Sequence, residues 1–80
     1  MLHILDASYV SDFRVHLSFN DGSEGTIDLS DSLDGPVFEP LRNKSRFSEL
    51  FVEGHTVCWP NGADFAPEYL KSLLNSQVQV

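Results

Sequence analysis

Apolar and polar side chains alternate most sharply along Phe13, Val15, Leu17 and Phe19, with Arg14, His16 and Ser18 between them. A period of two predicts a strand with one buried and one wet face. After Asn20-Asp21-Gly22 the alternation resumes, with Gly25, Ile27 and Leu29 set against Glu24, Thr26 and Asp28, which predicts a β-hairpin. The same pattern selects its register. A two-residue Asp-Gly loop would put Leu17 opposite Thr26 and Val15 opposite Asp28, mixing polar residues into the apolar face, because cross-strand partners share a face. A three-residue loop of Asn20, Asp21 and Gly22, with Gly22 in the left-handed region, instead sets Val15 opposite Ile27, Phe13 opposite Leu29 and Arg14 opposite Asp28.

Leu2 to Val10 reads as a preceding strand whose alternation is imperfect around Asp6 and Ala7, followed by a tight turn at Ser11-Asp12. Residues 30–46 keep no sustained period and are rich in loop formers, with Phe38 and Leu41 expected to enter the core from a short helical turn. Glu49 to Val52 and His55 to Trp59 read as a second hairpin around Glu53-Gly54. In Trp59-Pro60-Asn61-Gly62-Ala63-Asp64 the chain turns: Pro60 cannot donate to a ladder and Asn-Gly tolerates positive φ. Pro67 suits the first turn of a helix, Glu68 complements its dipole, and Leu70, Leu73 and Leu74 share one side. The expectation is one α+β domain over residues 1–75, a small antiparallel sheet of two hairpin-like groups with a C-terminal helix packed on one face, and a frayed tail at 76–80.

The chain has 80 residues, 41% hydrophobic and 21% charged, a globular composition without repeats. A chain this short buries roughly 60% of its unfolded surface, so each large side chain in the core counts. The net charge of −7 is lopsided: residues 1–41 hold eight acids against Arg14 alone, whereas residues 42–80 balance four acids with four bases. Such acidity repels phosphate backbones and argues against direct nucleic-acid binding. The longest apolar runs, Leu50-Phe51-Val52 and Val57-Cys58-Trp59, fall far short of a membrane span of about 20 residues, and no secretory leader is recognisable. Cys58 is the sole cysteine, which excludes an intrachain disulfide and points to a reducing, cytoplasmic setting.

The strand ending Leu17-Ser18-Phe19 with Asp21-Gly22, the following Ile27-Asp28-Leu29, Pro40-Leu41 with Phe47, and Trp59-Pro60-Asn61-Gly62-Ala63-Asp64 with Pro67-Glu68 and Leu70 together resemble a small bacterial family known as domain of unknown function 2442. The resemblance spans nearly the whole chain, and its last block is the most specific. It implies a small α+β fold, and longer relatives look like this module joined to a helix-turn-helix DNA-binding domain. No catalytic residues come with it. Ala66 departs from the Ser or Asp that would cap a helix better.

Candidate chemistry is sparse. His55 and Cys58 look like half a metal site, but residues three apart on a strand face opposite ways and two ligands are too few for zinc. Asp28, Asp31 and Asp34 miss the spacing of a calcium loop and read as solvated acids. No metal or cofactor is expected. There is no Gly-x-Ser-x-Gly elbow and no glycine-rich phosphate loop; His55, Asp64 and Glu68 are the nearest thing to a catalytic cluster. Asp64 reads as an acceptor for turn amides or a partner of the helix dipole, with a functional acid as the lesser reading. Trp59 reads as a core anchor or, less often, the lining of a partner groove. Arg42, Lys44 and Arg46 form a basic loop that could dock an acidic surface or a second copy. The favoured function is therefore a non-enzymatic protein-interaction or regulatory module, acting on a protein partner or as a homodimer. The alternative is a small-molecule binder or minor hydrolase using a pocket near Trp59, Asp64 and His55.

Overall fold

The computed structural model describes residues 1–77; the expected frayed tail lies, for residues 78–80, outside the described residues. Strands β1 (Ile4–Ser11), β2 (Arg14–Phe19) and β3 (Glu24–Asp28) form an antiparallel sheet in the order β1-β2-β3. The hairpin register follows the apolar pattern: Val15 pairs with Ile27 and Arg14 with Asp28, and the Leu29 amide donates to the Phe13 carbonyl at 2.8 Å. Gly22 takes φ +88° in the three-residue loop. Val15, Leu17, Phe19 and Ile27 are all buried, as the alternation requires.

The first strand explains its own imperfect pattern. Its register slips between Ile4 and Asp6 and again between Tyr9 and Ser11, so β1 carries two bulges that reset which face its side chains take. The tight turn is Asp12-Phe13, one residue later than Ser11-Asp12, because Ser11 pairs with Arg14 and Asp12 absorbs the positive φ of 47°. Asn20 ties down the chain before β1. Its side chain accepts from the His3 amide at 2.9 Å and donates to the Met1 carbonyl at 2.7 Å.

Short 3-10 turns at Ser30–Ser32 and Glu39–Arg42 shape the irregular middle, which buries Leu33 and Leu41 and stacks Phe38 on Phe65 at 4.6 Å. The single helical turn α1 (Lys44–Phe47) follows, capped by the Asn43 side chain, so residues 44–46 are helical where a loop is expected. Strands β4 (Phe51–Glu53) and β5 (Thr56–Cys58) pair with Glu53 opposite Thr56. The turn is therefore Gly54-His55, not Glu53-Gly54. Both residues have positive φ, 61° and 69°, which matches the twist of a two-residue hairpin. His55 is held there by stacking on His3 at 4.0 Å, and its carbonyl accepts from the Ile4 amide.

Helix α2 (Pro67–Gln77) contributes Leu70 and Leu74 to the core and packs along β3. It continues to Gln77, two residues beyond the expected end, because the Gln77 amide bonds both backbone groups of Asp28. The architecture is α+β, two small antiparallel sheets and a C-terminal helix.

Candidate functional site

The chain makes the same turn twice. At Phe19–Ser23 the Phe19 amide donates to the Ser23 carbonyl, the Gly22 amide donates to the Phe19 carbonyl, and Asp21 accepts from the Ser23 amide. At Trp59–Ala63 the equivalent bonds run from Trp59 to Ala63 and from Gly62 to Trp59, with Asn61 accepting from the Ala63 amide. In both, a glycine with φ near +90° lets the chain reverse within three residues. The second turn sends residues 63–65 back along β5, where Cys58 bridges to Asp64 and the Thr56 hydroxyl donates to the Phe65 carbonyl.

Strand geometry then decides what the surface displays. Phe51 pairs with Cys58 and Cys58 with Asp64, so these three side chains stand in one row across the second sheet, and Glu53, two residues from Phe51, shares their face. Val57, Trp59, Ala63 and Phe65 point the other way into the core. Beside the row lies an open groove of about 300 Å³ lined by Phe51, Glu53, Gly54, Cys58, Trp59, Gly62, Ala63 and Asp64. Burial raises the Cys58 thiol above its ordinary pKa, and the negative charges of Asp64 and Glu53 raise it further. A protonated thiol is a poor nucleophile at neutral pH. Nothing cationic lines the groove.

The family model described as "Protein of unknown function (DUF2442)" matches residues 4–74. The chain belongs to this family. The DUF2442 match begins at the first residue of β1 and ends at Leu74, the last buried residue of α2, so it includes the whole core and the groove. No curated protein and no solved structure matches the chain.

Against this frame the residues singled out from sequence separate. In this DUF2442 member Trp59 is 1% exposed, its Nε1 donates to the Phe47 carbonyl at 2.8 Å, and its ring meets Phe47 and Phe65 at 5.6 and 5.8 Å. It anchors the core and lends the groove only an edge. Asp64 is exposed and accepts no bond from the turn amides; Asn61 takes that role. His55 occupies a turn and, like Glu68, does not line the groove, so His55, Asp64 and Glu68 form no common pocket there. The basic residues do not converge either. Arg42 bonds the Leu33 carbonyl and Asp34, Lys44 pairs with Asp12 at 2.9 Å and lies over the Phe13 ring, and Arg46 borders a separate depression with Pro40, Glu49 and Asn61.

Among the described residues, no group of three or more His, Cys, Asp or Glu side chains is placed to hold a metal ion, and no helix is long and apolar enough to cross a membrane. Sequence reasoning missed Phe51 and Glu53 as neighbours of Asp64. The signal that finds them is the Gly54-His55 turn, since a Glu53-Gly54 turn sets Glu49 and not Phe51 opposite Cys58.

Proposed function

We propose that this domain is a non-enzymatic protein-interaction module, working in the cytoplasm and contacting its partner through the edge strands of its two sheets. The observation that carries this reading is the exposed apolar surface of those strands: Leu5, Tyr9 and Val10 on β1, and Phe51 and Val52 on β4. An edge strand with apolar side chains and free backbone groups is a template for pairing unless charge guards it. Among the described residues, Asp6 is the only charged side chain on β1, and Lys44 and Lys71 are occupied with Asp12 and Asp21. The groove is open, and its one thiol is shifted toward the protonated, weakly nucleophilic form, which favours a binding surface over a reaction centre. Arg42 and Lys44 are engaged within the chain, with Asp34 and Asp12.

Light scattering at micromolar concentration and affinity capture of stoichiometric partners test the reading, each repeated with Val10→Lys and Phe51→Lys. Association that disappears in these variants supports it. A strictly monomeric protein that binds no other protein and turns over a small molecule in a manner dependent on Asp64 or His55 overturns it.

A further inference from the structure

Resting on the interaction reading of this face, we infer that the groove between β4 and the Trp59–Asp64 turn receives an arginine side chain from a basic, extended segment of the partner protein. Two kinds of observation meet there. The wall is aromatic and apolar, built from Phe51, the edge of Trp59 and Ala63. Its rim holds two carboxylates, Glu53 and Asp64, which the strand register brings to one side of the sheet and which both act on the Cys58 thiol between them.

The charge on those carboxylates is uncompensated. Three of the twelve acids are paired with a Lys or Arg, Asp34 with Arg42, Asp12 with Lys44 and Asp21 with Lys71; the two at the groove are not among them. Among the described residues neither Glu53 nor Asp64 meets a cation, and no Lys or Arg of the chain lines the groove. A complementary ligand is therefore positive at its tip and apolar along its stem. Arginine fits better than lysine, because a planar guanidinium can stack on the Phe51 ring while its fork of N–H groups spans separated carboxylate oxygens. The volume of about 300 Å³ lies at the low end of ligand pockets, which run roughly 300–1,000 Å³, and suits a single long side chain better than a cofactor. Phe51, partly exposed on β4, which packs beside β1, joins the groove to the exposed apolar side chains of those two strands, on which the rest of the segment would lie.

The test is a titration of the isotopically labelled protein with N-acetyl-arginine methylamide, N-acetyl-lysine methylamide and the uncharged N-acetyl-norleucine methylamide, followed by amide and indole NMR shifts. The expected result is saturable movement confined to Phe51, Glu53, Cys58, Gly62, Ala63, Asp64 and the Trp59 indole, strongest for the arginine probe and absent for the neutral one. Glu53→Gln and Asp64→Asn should each weaken binding about threefold, within the range of exposed charge pairs. Their amide spectra report separately that the fold is intact. Equal shifts from the norleucine probe, shifts centred elsewhere, or a Glu53→Gln/Asp64→Asn protein that binds arginine undiminished would overturn the inference. It fails alone if no probe binds while Val10→Lys still abolishes partner association. A protein that binds the arginine probe at the groove but no polypeptide instead loses the interaction reading and keeps a simple cation site.

Discussion

The side-chain amide of Gln77 closes both backbone groups of Asp28, accepting from its N–H at 2.7 Å and donating to its carbonyl at 3.0 Å. The last turn of α2 thereby stands in for a fourth strand at the open edge of β3, and a helix whose core contact is made by Leu70 and Leu74 is held in register with the sheet.

Gln77→Ala should lower unfolding stability by about 1–2 kcal/mol, the usual net worth of two such bonds. Gln77→Glu should also destabilise, because a carboxylate can accept from the Asp28 amide but cannot donate to its carbonyl and stands beside the Asp28 carboxylate. Urea denaturation with an unchanged m-value would measure the loss; two variants as stable as the parent would mean that the helix end is held by packing alone.

Trp59→Ala should cost about 3–5 kcal/mol, the range for deleting a buried large aromatic, and could remove most of the stability of a chain of 80 residues. Trp59→Phe isolates the indole bond, and about 1–3 kcal/mol is expected from leaving the Phe47 carbonyl without its donor. A Trp59→Ala protein that melts like the parent and fails only in partner binding would make Trp59 an interface residue instead of a core anchor.

The two glycine turns should respond alike. At Gly22 and Gly62 an added Cβ meets nothing within 4 Å, so the cost of Gly→Ala is backbone strain at φ of +88° and +90°, about 1–2 kcal/mol each. Asn at either position should cost less, since it tolerates the left-handed region. Unequal losses measured by thermal melting would show that the shared hydrogen-bond pattern conceals different strain.

Acid should expose the ion pairs. The hydrogen bond from Lys71, with further bonds from Ser23, holds the Asp21 carboxyl well below its ordinary value, and the hydrogen bond and charge of Lys44 lower Asp12. Each carboxyl is more acidic folded than unfolded, so the unfolded chain binds protons first and stability falls as pH drops below about 4. Stability measured from pH 5 to pH 2 should fall less steeply in Asp21→Asn than in the parent. Superimposable profiles would mean that the Lys71 contact is lost in solvent.

Much of this fold was legible because alternation is local. The β2–β3 register follows from Val15, Leu17 and Ile27, whose misplacement by one residue would bury charge, and the loop containing Gly22 is the one that avoids it. The second hairpin was harder. Glu49 to Trp59 has no clean alternation to choose between turns one residue apart, and what selects Gly54-His55 is the stacking of His55 on His3, which lies 52 positions away.

The α+β class, the first hairpin and the positions of Gly22, Gly62 and Pro67 can be read along the chain, because each depends on side-chain period or on local φ preference. The groove and the pairing of the charged residues exist only once distant segments have packed together. Whether Lys44 is free or paired depends on Asp12 coming within 2.9 Å of it, and whether Asp64 has neighbours depends on a row of three residues, Phe51, Cys58 and Asp64, that come from three separate segments. A charge has no preferred partner written beside it in the chain; exposed charges are screened beyond about 10 Å, and separations shorter than that are set only when the core has closed.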